Sequence, residues 1–221
     1  MDQERILKQT EKFVKEILEK EGSGHDFWHT LRVVRNAIYL AKREGGDLFI
    51  IELAALLHDA YDHKLYDGDH TVADKKIREW LGHTGAESHI VDKICQIINE
   101  LSYKGAGVDT TPTTIEGKIV QDADRLDAIG AIGIARTFTY GGHKGKTMHD
   151  PHVKPVLHQD FESYKKSIGT SLNHFYEKLL LLKDRMNTET AKIVAKERHV
   201  YMERFLEEFL KEWDGTDLLR D

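Results

Sequence analysis

Residues 48–60 read LFIIELAALLHDA, an apolar run that ends in a histidine and an aspartate. A run this rich in apolar residues predicts a buried helix, which begins after Asp47 and reaches His58 and Asp59. The two polar side chains then interrupt a buried environment, where imidazole and carboxylate groups need partners. The stretch therefore predicts a helical core with a polar site at the end of one of its helices.

The remainder of the sequence repeats the helical period. Only three prolines occur in 221 residues, and apolar residues recur at three- and four-residue steps between turn signals. The further predicted helices cover about residues 6–21, 28–44, 71–82, 87–101, 160–183 and 188–213. Thr113 and Glu116 form a capping-box pattern, which predicts another helix that starts there and carries Asp124. The expected fold class is all-α, a compact multi-helix bundle with long C-terminal helices.

The composition excludes several classes of protein. A formal net charge of −6 argues against a general nucleic-acid surface, because such binding depends on clustered Lys and Arg. The apolar stretches are far shorter than a membrane crossing requires. Neither a secretory signal nor a transit peptide is visible at the N-terminus, so the expected location is the cytoplasm. The single Cys95 is expected to be a small buried residue, and any metal ion must use histidines and carboxylates.

The C-terminal helices are expected to form a wall of the domain. Their predicted buried faces comprise Ile168, Leu172, Phe175, Leu179 and Leu182, then Ile193, Val194, Val200, Tyr201, Phe205 and Phe209. Packing within one chain is the first interpretation, and a homodimer interface is the alternative. With no repeat or linker in evidence, we expect one domain over 1–221, with a metal-site core at about 25–140 and a helical extension at about 159–213.

Four polar residues form the candidate site. His29, the adjacent His58 and Asp59, and Asp124 each lie on or at the end of a predicted helix. Imidazole plus carboxylate suits a divalent ion such as Mn, Mg, Fe, Co, Ni or Zn and leaves positions open for water and substrate. Taken singly, each residue has an ordinary structural alternative as a packed or capping side chain. Their joint occurrence in apolar helices favours a metal site.

These residues resemble the signature of the HD-domain superfamily of metal-dependent phosphohydrolases, in which a His is followed by His-Asp and then by Asp. The matching segments are GHDFWHTLRV at 24–33, ALLHD at 55–59 and DADRLD at 122–127. The resemblance spans about residues 25–140. Within the superfamily, the sequence looks like the small bacterial branch whose members stand alone, without attached regulatory domains. It implies that His29, His58, Asp59 and Asp124 bind the ion, which would polarise a phosphoryl oxygen and activate water.

Two questions about the ligands stay open at this stage. Asp122 and Asp127 compete with Asp124 for the last ligand position; Asp124 matches the family pattern, while Asp127 would serve as an outer partner. Some family branches hold two ions through extra histidines, for which His63, His70, His83 and His89 are available. We expect one ion held by the protein, with a second ion brought by substrate phosphates as an option.

Further residues are candidates for proton transfer and substrate contact. Asp62 is the catalytic candidate, because related proteins place an acidic residue there; its alternative role is to cap a helix end. Arg32 shares a helix face with His29 and is the best phosphate contact, with a surface salt bridge as the alternative. His25 is a further substrate contact or a turn residue. Lys144 and Lys146 lie in a predicted loop over 141–158, a candidate lid that would clamp substrate, unless they are simply solvated.

The resemblance implies hydrolysis of a phosphate ester or phosphoanhydride, with a nucleotide as the favoured substrate, by a nucleotidase or a nucleoside triphosphate pyrophosphohydrolase. The expected partner is thus a small phosphorylated substrate, with neither general nucleic-acid binding nor a membrane. The rival enzyme is a dinuclear phosphodiesterase. The rival from another class is a metal-stabilised ligand-binding or sensor module without catalysis.

Overall fold

A computed structural model describes residues 1–19, 22, 24–60, 70–101, 108–157 and 169–219. Within these ranges every regular element is helical, which confirms the all-α prediction. The α-helices are α1 (Gln3–Leu18), α2 (Phe27–Glu44), α3 (Leu48–Leu57), α4 (His70–Thr84), α5 (Ser88–Glu100), α6 (Ile115–Asp127), α7 (Gly130–His143), α8 (Asn173–Glu177) and α9 (Glu189–Asp214). Two 3₁₀ turns, Leu179–Arg185 and Thr216–Leu218, precede and follow α9.

The helices around the candidate site begin and end where the sequence supplies a cap. The Asp26 carboxylate accepts a 2.8 Å hydrogen bond from the amide of His29 and caps α2. Asp47 accepts from two amides in the first turn of α3. Gly45 ends α2 with a φ of 87°, a conformation that glycine adopts without a steric penalty. These local signals explain why α2 and α3 lie close to their predicted bounds.

The capping box predicted at Thr113 is wrong by one residue. Thr114 is the N-cap of α6, and its hydroxyl accepts from an amide in the first turn at 3.0 Å. Thr113 instead donates to the Glu100 carboxylate, and Glu116 accepts from the amide of Asp47. Both threonines offer the same capping chemistry. The choice between them depends on tertiary partners that local sequence does not reveal.

The single helix predicted over 160–183 is wrong in the part that the structure describes. Residues 173–185 form α8 and then a 3₁₀ turn, because the backbone leaves the helical region at Lys178 (φ −142°, ψ −58°). The predicted apolar face is nevertheless buried at Leu172, Phe175, Leu179 and Leu182, while Ile168 lies outside the described residues. A spacing of three and four residues suits both forms of helix, so it did not reveal the break.

The face predicted for the last helix is partly wrong. Ile193, Val200 and Tyr201 are exposed, and Val194, Phe205 and Phe209 are half-buried. The buried residues of α9 are instead Ala191, Ala195, His199, Met202 and Leu206. Small alanines allow α9 to approach its neighbours α2, α6 and α7 closely. The contact face of α9 therefore contains alanines in place of the larger apolar residues.

The predicted loop over 141–158 starts later than expected, because α7 continues through His143. Two backbone hydrogen bonds of 3.0 Å join residues 147–148 to residues 171–172. The Asn173 side chain donates to a further carbonyl of the same loop at 2.9 Å. The candidate lid is therefore anchored at residues 147, 148 and 153 to the start of α8.

Helix α3 lies at the centre of the core and delivers the polar pair. Every residue from Leu53 through Leu57 is buried, and α3 packs against α1, α2, α5 and α6. Cys95 on α5 is also buried, as predicted. His58 and Asp59 follow directly after α3, beside α2 and α6. No described helix has both the length and the apolar character that a membrane crossing requires.

Candidate metal centre

Three packed elements bring the predicted metal ligands together. His29 lies in the first turn of α2, His58 and Asp59 follow α3, and Asp124 lies in the last turn of α6. Because α2, α3 and α6 pack against one another, these four side chains meet in one place. Adjacent helical residues point about 100° apart, so His58 and Asp59 can reach one ion only if it lies between their directions. Helices α2 and α6 close the remaining sides of that space.

The ligand atoms of His29, His58 and Asp59 have separations that suit a single ion, and Asp124 lies beside them. His29 Nε2 lies 3.2 Å from His58 Nε2, 3.3 Å from Asp59 Oδ2 and 3.5 Å from Asp124 Oδ1. His58 Nε2 lies 3.5 Å from Asp59 Oδ2 and 3.9 Å from Asp124 Oδ1. Ligand bonds of about 2.1 Å place neighbouring ligands roughly 3.0–3.4 Å apart. Asp124, whose side chain is 38% exposed, lies further out than the other three.

Both imidazoles are oriented through their other ring nitrogen. His58 Nδ1 lies 2.8 Å from the carbonyl oxygen of Ala55, and His29 Nδ1 lies 2.7 Å from Asp127 Oδ2. A carbonyl or carboxylate oxygen only accepts, so each Nδ1 carries the hydrogen. The Nε2 lone pairs of both rings consequently point into the same space. This is the arrangement that metal-binding histidines adopt.

The charges of the site favour a cation at its centre. Burial alone would lower the pKa of His29, but contacts with Asp127 and Asp59 outweigh burial and raise that pKa to about 9. Burial alone would raise the pKa of Asp59, but the charge of His58 and the adjacent His29 imidazole hold it well below its usual range. The buried Asp59 Oδ2 receives no hydrogen bond of normal geometry from any described group. A divalent ion would satisfy both features.

The three aspartates of the DADRLD segment have separate environments. Asp124 is the one that reaches the two imidazoles. Asp122 accepts from the amide and hydroxyl of Thr188 and from the amide of Asn187, each at 2.8 Å, and so supports the start of α9. Burial raises the pKa of Asp122 despite these bonds. Asp127 binds His29 on the side away from the cluster, which fits the predicted outer role.

Asp127 also binds two guanidinium groups. Arg32 Nε lies 2.7 Å from Asp127 Oδ1, and Arg136 Nη1 lies 3.1 Å from Asp127 Oδ2. Burial opposes ionisation, but the contacts with His29 and Arg32 hold the pKa of Asp127 well below its usual range. The salt-bridge alternative for Arg32 is therefore present in this structure, although the partner is a buried carboxylate and not a surface group.

The other predicted substrate contacts lie on one side of the cluster. The His25 ring stands 5.7 Å from the His29 ring and 6.0 Å from the ring of Tyr140 on α7. Lys144, which is exposed, has its Nζ 5.7 Å from the same Tyr140 ring. Lys146 is half-buried and acts electrostatically on His174. The structure thus groups His25 and Lys144 around Tyr140, while Lys146 acts on His174.

Sequence reasoning missed Arg136 and Tyr140. Both lie on α7, four residues apart, in a segment that stood out in the sequence chiefly for its glycines. The four-residue spacing puts them on one helix face, and this was the available signal. What it lacked was any indication that α7 faces the metal cluster.

The remaining candidates do not add a second cluster among the described residues. Asp62 and His63 lie outside the described residues, as does the His70 side chain. His83 is exposed with Nδ1 against the Glu79 carbonyl of its own helix, and His89 is exposed beside Glu87. In the described part of the chain, the grouping with metal-ligand geometry is His29, His58 and Asp59, with Asp124 beside it.

Comparison with known proteins places this site in a family. The family model described as HD domain matches residues 27–129. The protein YpgQ of Bacillus subtilis (strain 168) is 41% identical over 215 residues, which cover 96% of this chain and 97% of YpgQ. The crystal structure of an HD-superfamily hydrolase from Bacillus thuringiensis is 48% identical, with a TM-score of 0.73 over 96% of this chain and 98% of that one.

A second solved structure is that of B. subtilis YpgQ in complex with ADP. Its alignment has a TM-score of 0.73 and 36% identity, and covers 93% of this chain and 97% of that one. The likeness to these proteins extends through nearly the whole chain, including α8 and α9. Together with the geometry of His29, His58, Asp59 and Asp124, it establishes that the chain belongs to the HD-domain superfamily.

Proposed function

We propose that this chain is a metal-dependent phosphohydrolase that cleaves a phosphate ester or phosphoanhydride of a nucleotide. The observation that carries the proposal is the convergence of the His29 and His58 Nε2 atoms, 3.2 Å apart, with Asp59 and Asp124 beside them. Each ring is held by a hydrogen bond at Nδ1, so the centre is prepared for a cation before one binds.

Two imidazoles and two carboxylates suit a divalent ion with open coordination positions. When bound, such an ion polarises a phosphoryl oxygen and makes water a better nucleophile at neutral pH. The protein's part is to fix the ligands and to leave one side accessible. His29, His58 and Asp59 form the buried floor, whereas the partly exposed Asp124 marks the side from which substrate would approach.

The residues around that side have proposed roles of their own. His25 and Lys144 lie near Tyr140 and would contact the anionic part of a substrate. Asp62 remains the proposed group for moving a proton, since it follows the proposed ligand Asp59 by three residues in sequence. Arg32 is paired with Asp127 and would act on the site through that carboxylate. Lys146 is a weaker candidate for substrate contact, because it lies near His174.

The nucleotide class rests on two supports. The related YpgQ has been crystallised in complex with ADP. ADP contains both a phosphate ester and a phosphoanhydride, which are the two bonds of the proposed reaction class. A site with a divalent ion and nearby cationic side chains offers the charge that such a ligand needs.

A substrate panel tests the proposal. Purified protein would be incubated with nucleoside mono-, di- and triphosphates in Mn²⁺, Mg²⁺, Co²⁺ or no metal, and products identified by ³¹P NMR. We expect phosphate or pyrophosphate release only with a divalent ion, and none from a folded Asp59→Ala variant. A folded protein that binds metal but cleaves no nucleotide of the panel would instead support the ligand-binding module.

A further inference from the structure

The Asp127 carboxylate is the meeting point of three side chains. It is 3% exposed, and its Oδ2 lies 2.7 Å from His29 Nδ1 and 3.1 Å from Arg136 Nη1. Arg32 adds two contacts, Nε to Oδ1 at 2.7 Å and Nη2 to Oδ2 at 3.1 Å. One buried carboxylate on α6 therefore joins an imidazole and a guanidinium of α2 to a guanidinium of α7.

This geometry restricts how the carboxylate can turn. Arg32 approaches with two parallel N–H groups, which fixes the plane of the carboxylate. Arg136 approaches Oδ2 from another helix, and its Nε also donates to the carbonyl oxygen of Gly24 at 2.8 Å. The carboxylate is thus clamped in the orientation in which Oδ2 can accept from His29.

The orientation of His29 matters because its ring offers two nitrogens. Only when Nδ1 carries the hydrogen and faces Asp127 is the Nε2 lone pair directed at His58 and Asp59. Loss of the clamp would allow the ring to rotate or to change tautomer. The metal ligands would still be present, but they would no longer be prearranged.

We propose that Asp127 is a positioning residue for the metal ligand His29, and that Arg32 and Arg136 hold Asp127 in place, so that this trio sets the affinity for the divalent ion. The inference rests on the proposed function, because it requires that a cation binds the cluster. It assigns to Arg136 a role in metal binding although Arg136 belongs to neither the ligand set nor the HD signature.

Metal affinity tests the inference without any assay of catalysis. Mn²⁺ would be titrated into metal-free protein by calorimetry, for wild type, Asp127→Ala, Asp127→Asn, Arg32→Ala and Arg136→Ala. Loss of an outer partner of a ligating histidine weakens binding by about 10- to 100-fold, which we expect for Asp127→Ala. We expect a smaller loss for each arginine variant and for Asp127→Asn, which keeps an acceptor oxygen.

The matched control is Arg78→Ala. Arg78 also bridges two carboxylates, Asp74 and Asp92, but these lie on α4 and α5 and not at the cluster. Its loss should leave the dissociation constant for Mn²⁺ unchanged. Thermal unfolding of each metal-free variant, recorded in parallel, separates weaker metal binding from weaker folding.

Chemical rescue provides a second measurement. A pocket of about 240 Å³ is lined by Arg32 and Arg136, together with Gly22 and Gly24. Methylguanidinium at millimolar concentration should therefore reach the space vacated in Arg136→Ala and restore part of the Mn²⁺ affinity. It should not restore the Mn²⁺ affinity of Asp127→Ala, which lacks the carboxylate that methylguanidinium must hold in place.

The outcomes distinguish this inference from the proposed function. Wild-type protein that binds none of Mn²⁺, Mg²⁺ and Co²⁺ would overturn both. If wild type binds Mn²⁺ and both Asp127 variants and Arg136→Ala bind it equally well, only the positioning role is overturned. The same holds if Arg136→Ala lowers the unfolding temperature of the metal-free protein without changing the dissociation constant.

Discussion

The Nε2 atoms of His29 and His58 lie 3.2 Å apart. The Nδ1 atom of each ring donates a hydrogen bond to an oxygen, so both Nε2 atoms carry a lone pair when the rings are neutral. Two Nε2 lone pairs at this distance repel each other unless a cation lies between them. The carboxylates of Asp127 and Asp59 outweigh burial and raise the pKa of His29 to about 9, so the surroundings of this ring favour positive charge. The relationship makes the loss of either imidazole a direct test of metal binding.

The first prediction is that His58→Ala loses the metal. Removal of an outer partner of a ligand weakens binding by about 10- to 100-fold, so removal of a ligand should exceed about 100-fold. Calorimetric titration with Mn²⁺ checks this, with circular dichroism as the test of folding. His83→Ala, which removes an exposed histidine of α4, is the control and should bind as wild type does. Equal affinity in wild type and a folded His58→Ala protein would exclude this ligand.

The second prediction separates a ligand from a proton-transfer group. Asp62→Asn should keep the wild-type content of Mn²⁺ but lower turnover by about 10²- to 10⁴-fold, the usual contribution of a general acid or base. Metal content by elemental analysis and turnover at saturating nucleotide provide the two readings. An unchanged turnover number would leave Asp62 with the capping role alone.

The third prediction concerns the packing of α7 against the end of α6. A Cβ atom at Gly133 would lie 2.2 Å from the carbonyl oxygen of Ala128, which is backbone and cannot rotate away. Gly133→Ala should therefore lower the free energy of unfolding by about 1–3 kcal/mol, the usual cost of overpacking.

The control for this substitution is Gly142→Ala in the same helix, where nothing lies within 4 Å of the added atom. It should be neutral, or stabilising by up to about 1 kcal/mol, because alanine favours helix. Urea unfolding of both variants measures the difference. Equal stabilities would show that α7 can shift without cost.

The fourth prediction is a pH dependence of stability from His174. Burial, together with the positive charges of Lys178 and Lys146, lowers the pKa of this imidazole to about 3 in the folded protein. The unfolded chain has the ordinary value of 6.5 and binds the proton first. Stability is therefore lost as the pH falls below 6.5, and His174 should contribute a loss of about 1.4 kcal/mol between pH 7.5 and 5.5.

His174→Gln removes this titration, so its free energy of unfolding should fall less than that of wild type over the same interval. Urea unfolding at both pH values supplies the comparison. His83→Gln, at an exposed position, should follow wild type. An identical pH dependence in wild type and His174→Gln would mean that His174 accepts its proton in the folded state.

The parts of the structure that sequence predicted are those encoded locally. Helices α2 and α3 begin at the capping carboxylates of Asp26 and Asp47, and α2 ends at Gly45, whose backbone is free to adopt a positive φ. These bounds could therefore be predicted from the sequence. The order of His29, His58-Asp59 and Asp124 was legible because buried polar residues stand out in apolar helices. The all-α class followed from the three- and four-residue spacing of apolar residues.

The parts that sequence missed depend on which elements meet. The break at Lys178 leaves the apolar spacing intact, so the spacing did not reveal it. In α9 the large apolar residues Ile193 and Tyr201 were predicted to be buried, but they are exposed, and alanines form the contact face instead. The pairing of Arg32 with the buried carboxylate of Asp127 was not expected, because the sequence suggested only a surface salt bridge as the alternative to a phosphate contact. That pairing also involves Arg136, which comes from a helix whose position relative to α2 no local pattern encodes.

We propose that one ion, held by His29, His58, Asp59 and Asp124, is required for nucleotide hydrolysis. The most direct test is one titration in which bound Mn²⁺ and the rate of product release are measured together, with the nucleotide that the panel shows is cleaved fastest. We predict no release without metal, a rate that rises in proportion to bound Mn²⁺, and saturation at one ion per chain. Release without metal would contradict this claim, as would a rate that rises only with a second bound ion.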